Sequence, residues 1–500
     1  MMPANEVESR GRVVTDEQSM AQRDLEESIS RSIGDLPGPA GLPLVGNLHQ
    51  LTFRGLGHIH LKLEEWADRY GDIFLVHFAN RPALVISDRI AIQGILLDRP
   101  DSFRRTSILE AAASDMRLKG VFAAEGDDWR RQRRMVVNAL NRTRLKTLFP
   151  VFRVMLGRLM RRWQRAADEG KAVDLCQDLM RFTVDVTMQV AFGIDPNTQE
   201  TEGPVIQNHL DKVFPVLHRR VFQPFPIWRY IRLPSDHGLD LALNALQEEV
   251  SEMVYAARER MKSDPMLAES PTNFLESILV ALDQENSEFT DEDVFANAGT
   301  LLLAGEDTTA NSIAWSVHYM TLYPEHFQRT KNEVDRVAGP DRELLEMEQM
   351  GKLPRLDAFY NEVMRLKPVA PLQVSQSISD VDIMGYRVPG GTPIYMLARR
   401  MATRNENFAN GRQFDPDRWL AVRDRGHCPH ERQAFIPFGA GPRLCPGRSL
   451  ALLEIRMVLS MLCRNFDLET VNGGSAVEER MAFSMMPANL HVVLKRREVF

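Results

Sequence analysis

Nowhere in the 500 residues is there an uninterrupted apolar run of about 18, the minimum for a helix that crosses a bilayer. The four cysteines, Cys176, Cys428, Cys445 and Cys463, lack the spacing of a disulfide framework, which fits a reducing compartment. No Gly/Ser linker or block of charge divides the chain from about residue 35 onward, so one catalytic unit over 34–500 is expected. The net charge of -7 with 26% charged residues carries no global nucleic-acid signal. Residues 1–33 are polar and charged, without the apolar core of a secretory signal or the acid-poor make-up of a transit peptide, and read as a disordered leader. These absences together point to a cytoplasmic protein with no transmembrane anchor.

The stretch 437–447 is rich in glycine and proline and cannot be ordinary helix or strand. It reads as a tight turn ahead of a helix, presenting Cys445 between Arg443 and Arg448. A helix N-terminus and two guanidinium groups favour the charged thiolate, which suits an anionic ligand or nucleophile. Thr290 reads as the cap of a long helix that Pro324 stops, with Ala304-Gly305-Glu306-Asp307-Thr308-Thr309 at its middle. Consecutive threonines there suggest local distortion, and Glu306 reads as an exposed helix residue. Trp129 and Arg133 share a helix face, as do Glu362 and Arg365. Residues 73–76 and 83–86 read as a hairpin, and 150–285 as successive amphipathic helices.

The pattern Phe438-x-x-Gly441-x-Arg443-x-Cys445-x-Gly447 resembles the haem-ligand loop of the cytochrome P450 family, in which a cysteine thiolate is the axial haem ligand. Trp129-x-x-x-Arg133, Ala304-Gly305-x-Asp307-Thr308, Glu362-x-x-Arg365 and the segment around Arg418 are similar to further motifs of that family, in the family's order. The resemblance implies a mainly α fold with small β-sheets, shaped as a triangular prism. It implies haem b bound through Cys445, O2 as co-substrate and electrons ultimately from NAD(P)H. The implied reaction is insertion of one oxygen atom into an apolar small molecule, by hydroxylation or epoxidation, in a soluble, monomeric enzyme of bacterial type.

By the same resemblance Trp129 and Arg133 meet the haem carboxylates, while Gly305, Phe438, Gly441, Arg443 and Gly447 also belong to the haem-binding set. Asp307 relays protons to Thr308, and Glu362, Arg365 and Arg418 form a buried triad. Many relatives carry a carboxylate-binding Arg or His near Ser375–Gln376; this chain has neither, leaving Arg399 or another side chain to substitute. Substrate-pocket candidates are Ile108, Leu109 and Met116 in an irregular stretch over 107–120, and Phe222 in a proline-broken apolar roof over 214–228. Ala304, Val369, Leu372 and Met485 complete them; a small packed helix at 107–120 and core filling at Met485 are the plainer alternatives.

No reductase module is visible after Cys445, so electrons are expected from a separate protein. Arg130, Arg131, Arg134, Arg142, Arg144 and Lys146 form either a solvated face or a landing site for an acidic ferredoxin or flavodoxin, served by its reductase, on the Cys445 side. His427-Cys428-Pro429-His430 lacks the second ligand pair of a closed zinc site. A peroxide-using relative is expected to lose the acid–alcohol pair, which is present, and a gas sensor to carry an output module, which is not visible.

Overall fold

A computed structural model describes residues 31–51, 55–201, 205–222, 226–285, 287–340, 344–420, 430–471 and 477–497, the side chains of 56, 205–211, 214 and 222 excepted. Its axis is the helix Asp291–Leu322. The Thr290 hydroxyl accepts from Asp293 N, and the Asp293 carboxylate accepts in return from Thr290 N, so two orphan donors are satisfied at once. At about 1.5 Å per residue the helix spans roughly 48 Å, and its middle is buried on nearly every side. Pro324 opens the next helix, Pro324–Ala338, which sets off in a new direction.

Helix Leu175–Phe192 lies against this axis more extensively than any other described element. Gly305 permits the approach, because a Cβ there would stand 2.3 Å from Thr187 Oγ1. Arg448–Asn465 and Pro354–Leu366 pack on other sides, and the shared core holds Phe152, Trp163, Phe182, Trp315 and Phe359.

A five-stranded sheet stands beside the helices in the order Ile73–Phe78, Arg81–Ile86, Pro393–Met396, Gln373–Ser377, Phe103–Arg104. The first two strands form the expected antiparallel hairpin, and Leu84 lies opposite Ile394 in a parallel pairing. Side chains alternate between two cores: Leu84 and Ile86 enter one, Ala83 and Val85 the other.

Two segments differ from the sequence reading. Ser107–Asp115 is a regular helix: the Thr106 hydroxyl caps Leu109 N, and Leu109, Ala112 and Ala113 make one buried face. Val205–Phe222 is helical straight through Pro215, since burying Val213, Val216 and Leu217 outweighs the one backbone bond a proline removes. The expected proline-broken roof is therefore mostly helix; residues 223–225 lie outside the described residues, and Ile227–Arg229 is a short 3-10 turn.

Candidate active site

The cysteine loop is fixed by backbone. Gly441 has φ +68°, and a Cβ there would sit 2.2 Å from Leu96 O, so only glycine fits against the neighbouring chain. A 3-10 turn over Gly441–Arg443 follows, and Cys445 N donates to Phe438 O at 2.9 Å, closing the loop. The half-buried Phe438 ring lies under the Arg448 guanidinium at 5.9 Å. Gly447 begins the helix Arg448–Asn465.

The charge balance at the sulfur differs from expectation. Burial pushes the Cys445 thiol upward, against the Gly447 and Arg448 peptide N–H groups and the Arg133 guanidinium, which favour the thiolate. Arg443 faces away, its Nη2 donating to Ala124 O at 2.7 Å and lying 2.7 Å from Glu125 Oε2. Cys445 nonetheless keeps an accessible surface. A group that is both desolvated and accessible borders an internal space.

Three arginines, Arg99, Arg105 and Arg443, meet around the Glu125 carboxylate, and Arg133 adjoins Arg443. Arg443 stacks on the buried Trp129 indole at 4.6 Å, and Arg133 donates to Leu444 O in the cysteine loop. Glu125 Oε1 accepts from Arg105 N at 2.9 Å. The Arg105 guanidinium covers the Phe122 ring at 3.8 Å, and burial beside Arg99 and Arg443 holds its pKa well below the usual arginine range. Burial also lowers Arg99 and Arg133, and pushes Arg443 down to about 10. Arg99 Nε and Nη2, with Arg443 Nε and Nη1, are buried and find no acceptor among the described residues. Arg399 does not substitute at this place: Glu64 and Glu479 hold it in a separate network with His60. Sequence reasoning missed Arg99 and Arg105, which belong to no motif; Arg99 lies two residues past the end of the helix Arg89–Leu97, and nothing in that spacing signals a site.

On the central helix Ala304 is exposed while Leu301, Gly305 and Thr308 around it are half-buried, and it borders the internal cavity. Gly305 is taken up by Thr187, leaving Ala304 as the flat wall. The Thr308 hydroxyl donates to Ala304 O at 2.9 Å within an unbroken helix, without the expected distortion. Asp307 Oδ1 accepts from Asn311 Nδ2 at 2.6 Å, and Oδ2 accepts from Ser484 Oγ at 2.6 Å. Glu306 is 2% exposed, correcting the surface position expected for it: on an axis helix covered all round, no face is left for solvent.

The cavity beside Ala304 is lined by Leu109, Leu118, Phe122, Leu217, Leu303 and Phe483 among others, and Phe122 meets Phe483 edge to face at 5.6 Å. No lining residue is charged, and the Thr300 hydroxyl is spent on Ala296 O. Of the eight pocket candidates, Leu109 and Ala304 line it. Met116, Leu372 and Met485 are packed in cores; Ile108 and Val369 are half-buried, and Phe222 ends its helix with its side chain outside the description. Met485 turns its sulfur to Arg399, and Phe483 takes the lining position two residues earlier.

Below the site, Glu362 and Arg365 are 0% exposed and Arg418 6%. The Glu362 carboxylate accepts from Arg365 Nε and Nη2 at 2.8 and 2.7 Å, from Arg418 Nε at 3.0 Å and from Trp419 Nε1 at 2.9 Å. In the basic cluster Arg130 and Arg131 pair with Asp127 and Asp128, Arg144 donates to Pro271 O, and Lys146 lies 3.8 Å from Glu348. Arg134, Arg142 and Arg448 are exposed. His427 and Cys428 lie outside the described residues, among which no His/Cys/Asp/Glu cluster could hold a metal ion and no helix is long and apolar enough to cross a membrane.

An accessible cysteine in a glycine-fixed loop, together with buried guanidinium nitrogens that meet no acceptor among the described residues, fits the class of proteins that carry an anionic cofactor. Residues 36–494 match the cytochrome P450 family profile. The chain is similar to cytochrome P450 4d10 of Drosophila mettleri, 26% identical over 461 residues covering 89% of this chain and 87% of that protein. It is also similar to cytochrome P450 2B9 of Mus musculus, 25% identical over 444 residues, 86% and 87% of the two chains. Protein LUTEIN DEFICIENT 5, chloroplastic, of Arabidopsis thaliana is 26% identical over 424 residues, 82% of this chain and 69% of that one. The chain belongs to the cytochrome P450 family. It is a haem-thiolate monooxygenase using O2 and NAD(P)H-derived electrons that arrive through a redox partner. These relatives come from animals and a plant, so the bacterial type expected from sequence finds no support in them.

Proposed function

We propose that Cys445 would bind the haem iron through its thiolate, that Trp129, Arg133 and Arg443 with Arg105 and Arg99 would hold the two haem carboxylates, and that Asp307 and Thr308 would supply protons. The observation carrying this reading is the set of buried guanidinium nitrogens at Arg99 and Arg443 that meet no acceptor among the described residues, which fits the carboxylates of a haem. Bound haem supplies O2 binding and activation, with electron donation from the thiolate favouring O–O cleavage. The protein's share is to hold the carboxylates, keep the sulfur dry, and present a hydroxyl at Thr308 with a carboxylic acid next to it. Phe438, Gly441 and Gly447 shape the turn under the sulfur, and Glu362, Arg365 and Arg418 make the floor.

The uncharged lining of the cavity favours an apolar skeleton, such as a terpenoid, steroid, polyketide or fatty acyl chain, held by shape. Exposed Arg134, Arg142 and Arg448 favour an acidic electron donor, a ferredoxin or flavodoxin, on the cysteine side of a monomeric, cytoplasmic enzyme. The purified wild type is expected to show the strongly red-shifted Soret band of a ferrous–CO thiolate complex, and Cys445→Ala to lose it. A band that survives the substitution overturns the ligand assignment.

A further inference from the structure

The acid of the acid–alcohol pair is tied down away from the alcohol. Asp307, Asn311 and Ser484 form a closed triangle: besides the two bonds to Asp307, Asn311 Nδ2 lies 2.9 Å from Ser484 Oγ. All three are buried, at 8%, 0% and 2% exposure. Asn311 is one turn along the same helix and moves with Asp307. Ser484 does not: it is 177 residues away in sequence, in the turn between the strands Glu478–Met481 and Met485–Ala488.

That turn has one fixed side and one responsive side. After Ser484 the chain is pinned, with Met485 N donating to Val369 O at 2.8 Å and Trp315 Nε1 donating to Met485 O at 3.0 Å. Before it, Phe483 is half-buried and lines the substrate cavity edge to face with Phe122. Adjacent residues of one tight turn thus touch the cavity and the catalytic acid. A ring pushed by a cavity occupant rotates the peptide that carries the Ser484 hydroxyl.

We propose that Ser484 is a positioning residue that latches Asp307, and that pressure on Phe483 from an occupied cavity releases the latch, so that proton supply to Thr308 follows substrate occupancy. The inference rests on the reading of Asp307 and Thr308 given above. A charge-assisted hydrogen bond of this kind biases a two-state equilibrium by roughly tenfold to a hundredfold, a range that one packing contact in a cavity can reverse.

The test uses the haem-loaded full chain with a surrogate NADPH-driven ferredoxin and its reductase, without substrate, measuring NADPH consumption and hydrogen peroxide release. Ser484→Ala is expected to raise substrate-free consumption about tenfold, and Ser484→Thr, which keeps the hydroxyl, to restore the wild-type rate. Phe483→Trp, a larger ring that mimics an occupied cavity, is expected to raise it as Ser484→Ala does. Adding Asp307→Asn to either variant is expected to cancel the rise. The ferrous–CO band of each variant reports that the fold and haem seat are intact. If Asp307→Asn alone slows turnover while Ser484→Ala and Ser484→Thr behave as wild type, the latch is refuted and the proton-supply reading stands. If Asp307→Asn changes nothing in any background, the underlying reading fails. A rise in Ser484→Ala that Asp307→Asn does not cancel also refutes the latch, since it marks a leak unrelated to the acid.

Discussion

Two buried arginine clusters in this molecule differ in one respect. Around Glu362, every donor of Arg365 and Arg418 that enters the interior meets an acceptor: the carboxylate, or the carbonyls of Ala402, Ala409, Gly411 and Gln413. Around Glu125, the guanidinium groups of Arg99, Arg105 and Arg443 share one carboxylate, and nitrogens of two find no acceptor among the described residues. The first cluster is finished by the chain itself. The second is not finished by the described residues. Buried polar groups are nearly always satisfied; among the described residues six other arginines leave a single Nε unpartnered, and Arg99 and Arg443 leave two nitrogens each, which marks their meeting place as the candidate ligand seat. The comparison also separates the roles of two sets of arginines that look alike in sequence.

The largest effect is expected where the closed cluster is opened. Glu362→Gln keeps shape and removes the charge, leaving Arg365 buried without its carboxylate and Arg418 with only Asp415 at 3.9 Å, which costs on the order of 3–5 kcal/mol. Urea unfolding followed by circular dichroism should show that loss equally in haem-free and haem-loaded protein. An unchanged midpoint would show that the triad does not hold the floor.

Opening the other cluster should do the reverse. Arg105→Met removes one surplus charge, so the haem-free protein is expected to gain about 1–2 kcal/mol, as buried ionic groups replaced by apolar ones often do. Haem transfer to an acceptor protein should be faster by about 10–100-fold, the equivalent of one charge-assisted hydrogen bond. A variant that loses stability and retains haem normally would put Arg105 with the scaffold.

The same contrast sets what was readable from the chain. The closed cluster was legible because Glu362 and Arg365 are three apart on one helix, a local relation, and the cysteine loop because its glycines are spaced by backbone need. Thr290 and Asp293 announced the axis helix for the same reason. Arg99 and Arg105 were not legible, since their meeting with Arg443 joins segments more than 300 residues apart and leaves no periodicity. Glu306 was misplaced because polarity was read as exposure; Leu302, Glu306, Thr309 and Ile313 lie along one strip of a helix that is covered throughout. Asp307 was correctly read as an acid near the middle of that helix, yet its orientation depends on Ser484, which no local pattern links to it.

The smallest effect, and the sharpest division between the clusters, is expected at Arg99. Its guanidinium feels Glu125, but the unspent Nε and Nη2 make no bond to the protein that could be lost. Arg99→Met should therefore leave unfolding of the haem-free protein unchanged within about 0.5 kcal/mol. Haem transfer should rise by only a few-fold, because Arg105 and Arg443 remain within reach of the same carboxylate. Residues that share a partner do not add, so Arg99→Met combined with Arg105→Met should release haem faster than the product of the two single effects. Strict multiplicativity would mean that the two arginines serve different groups, and the second cluster would then be two separate seats.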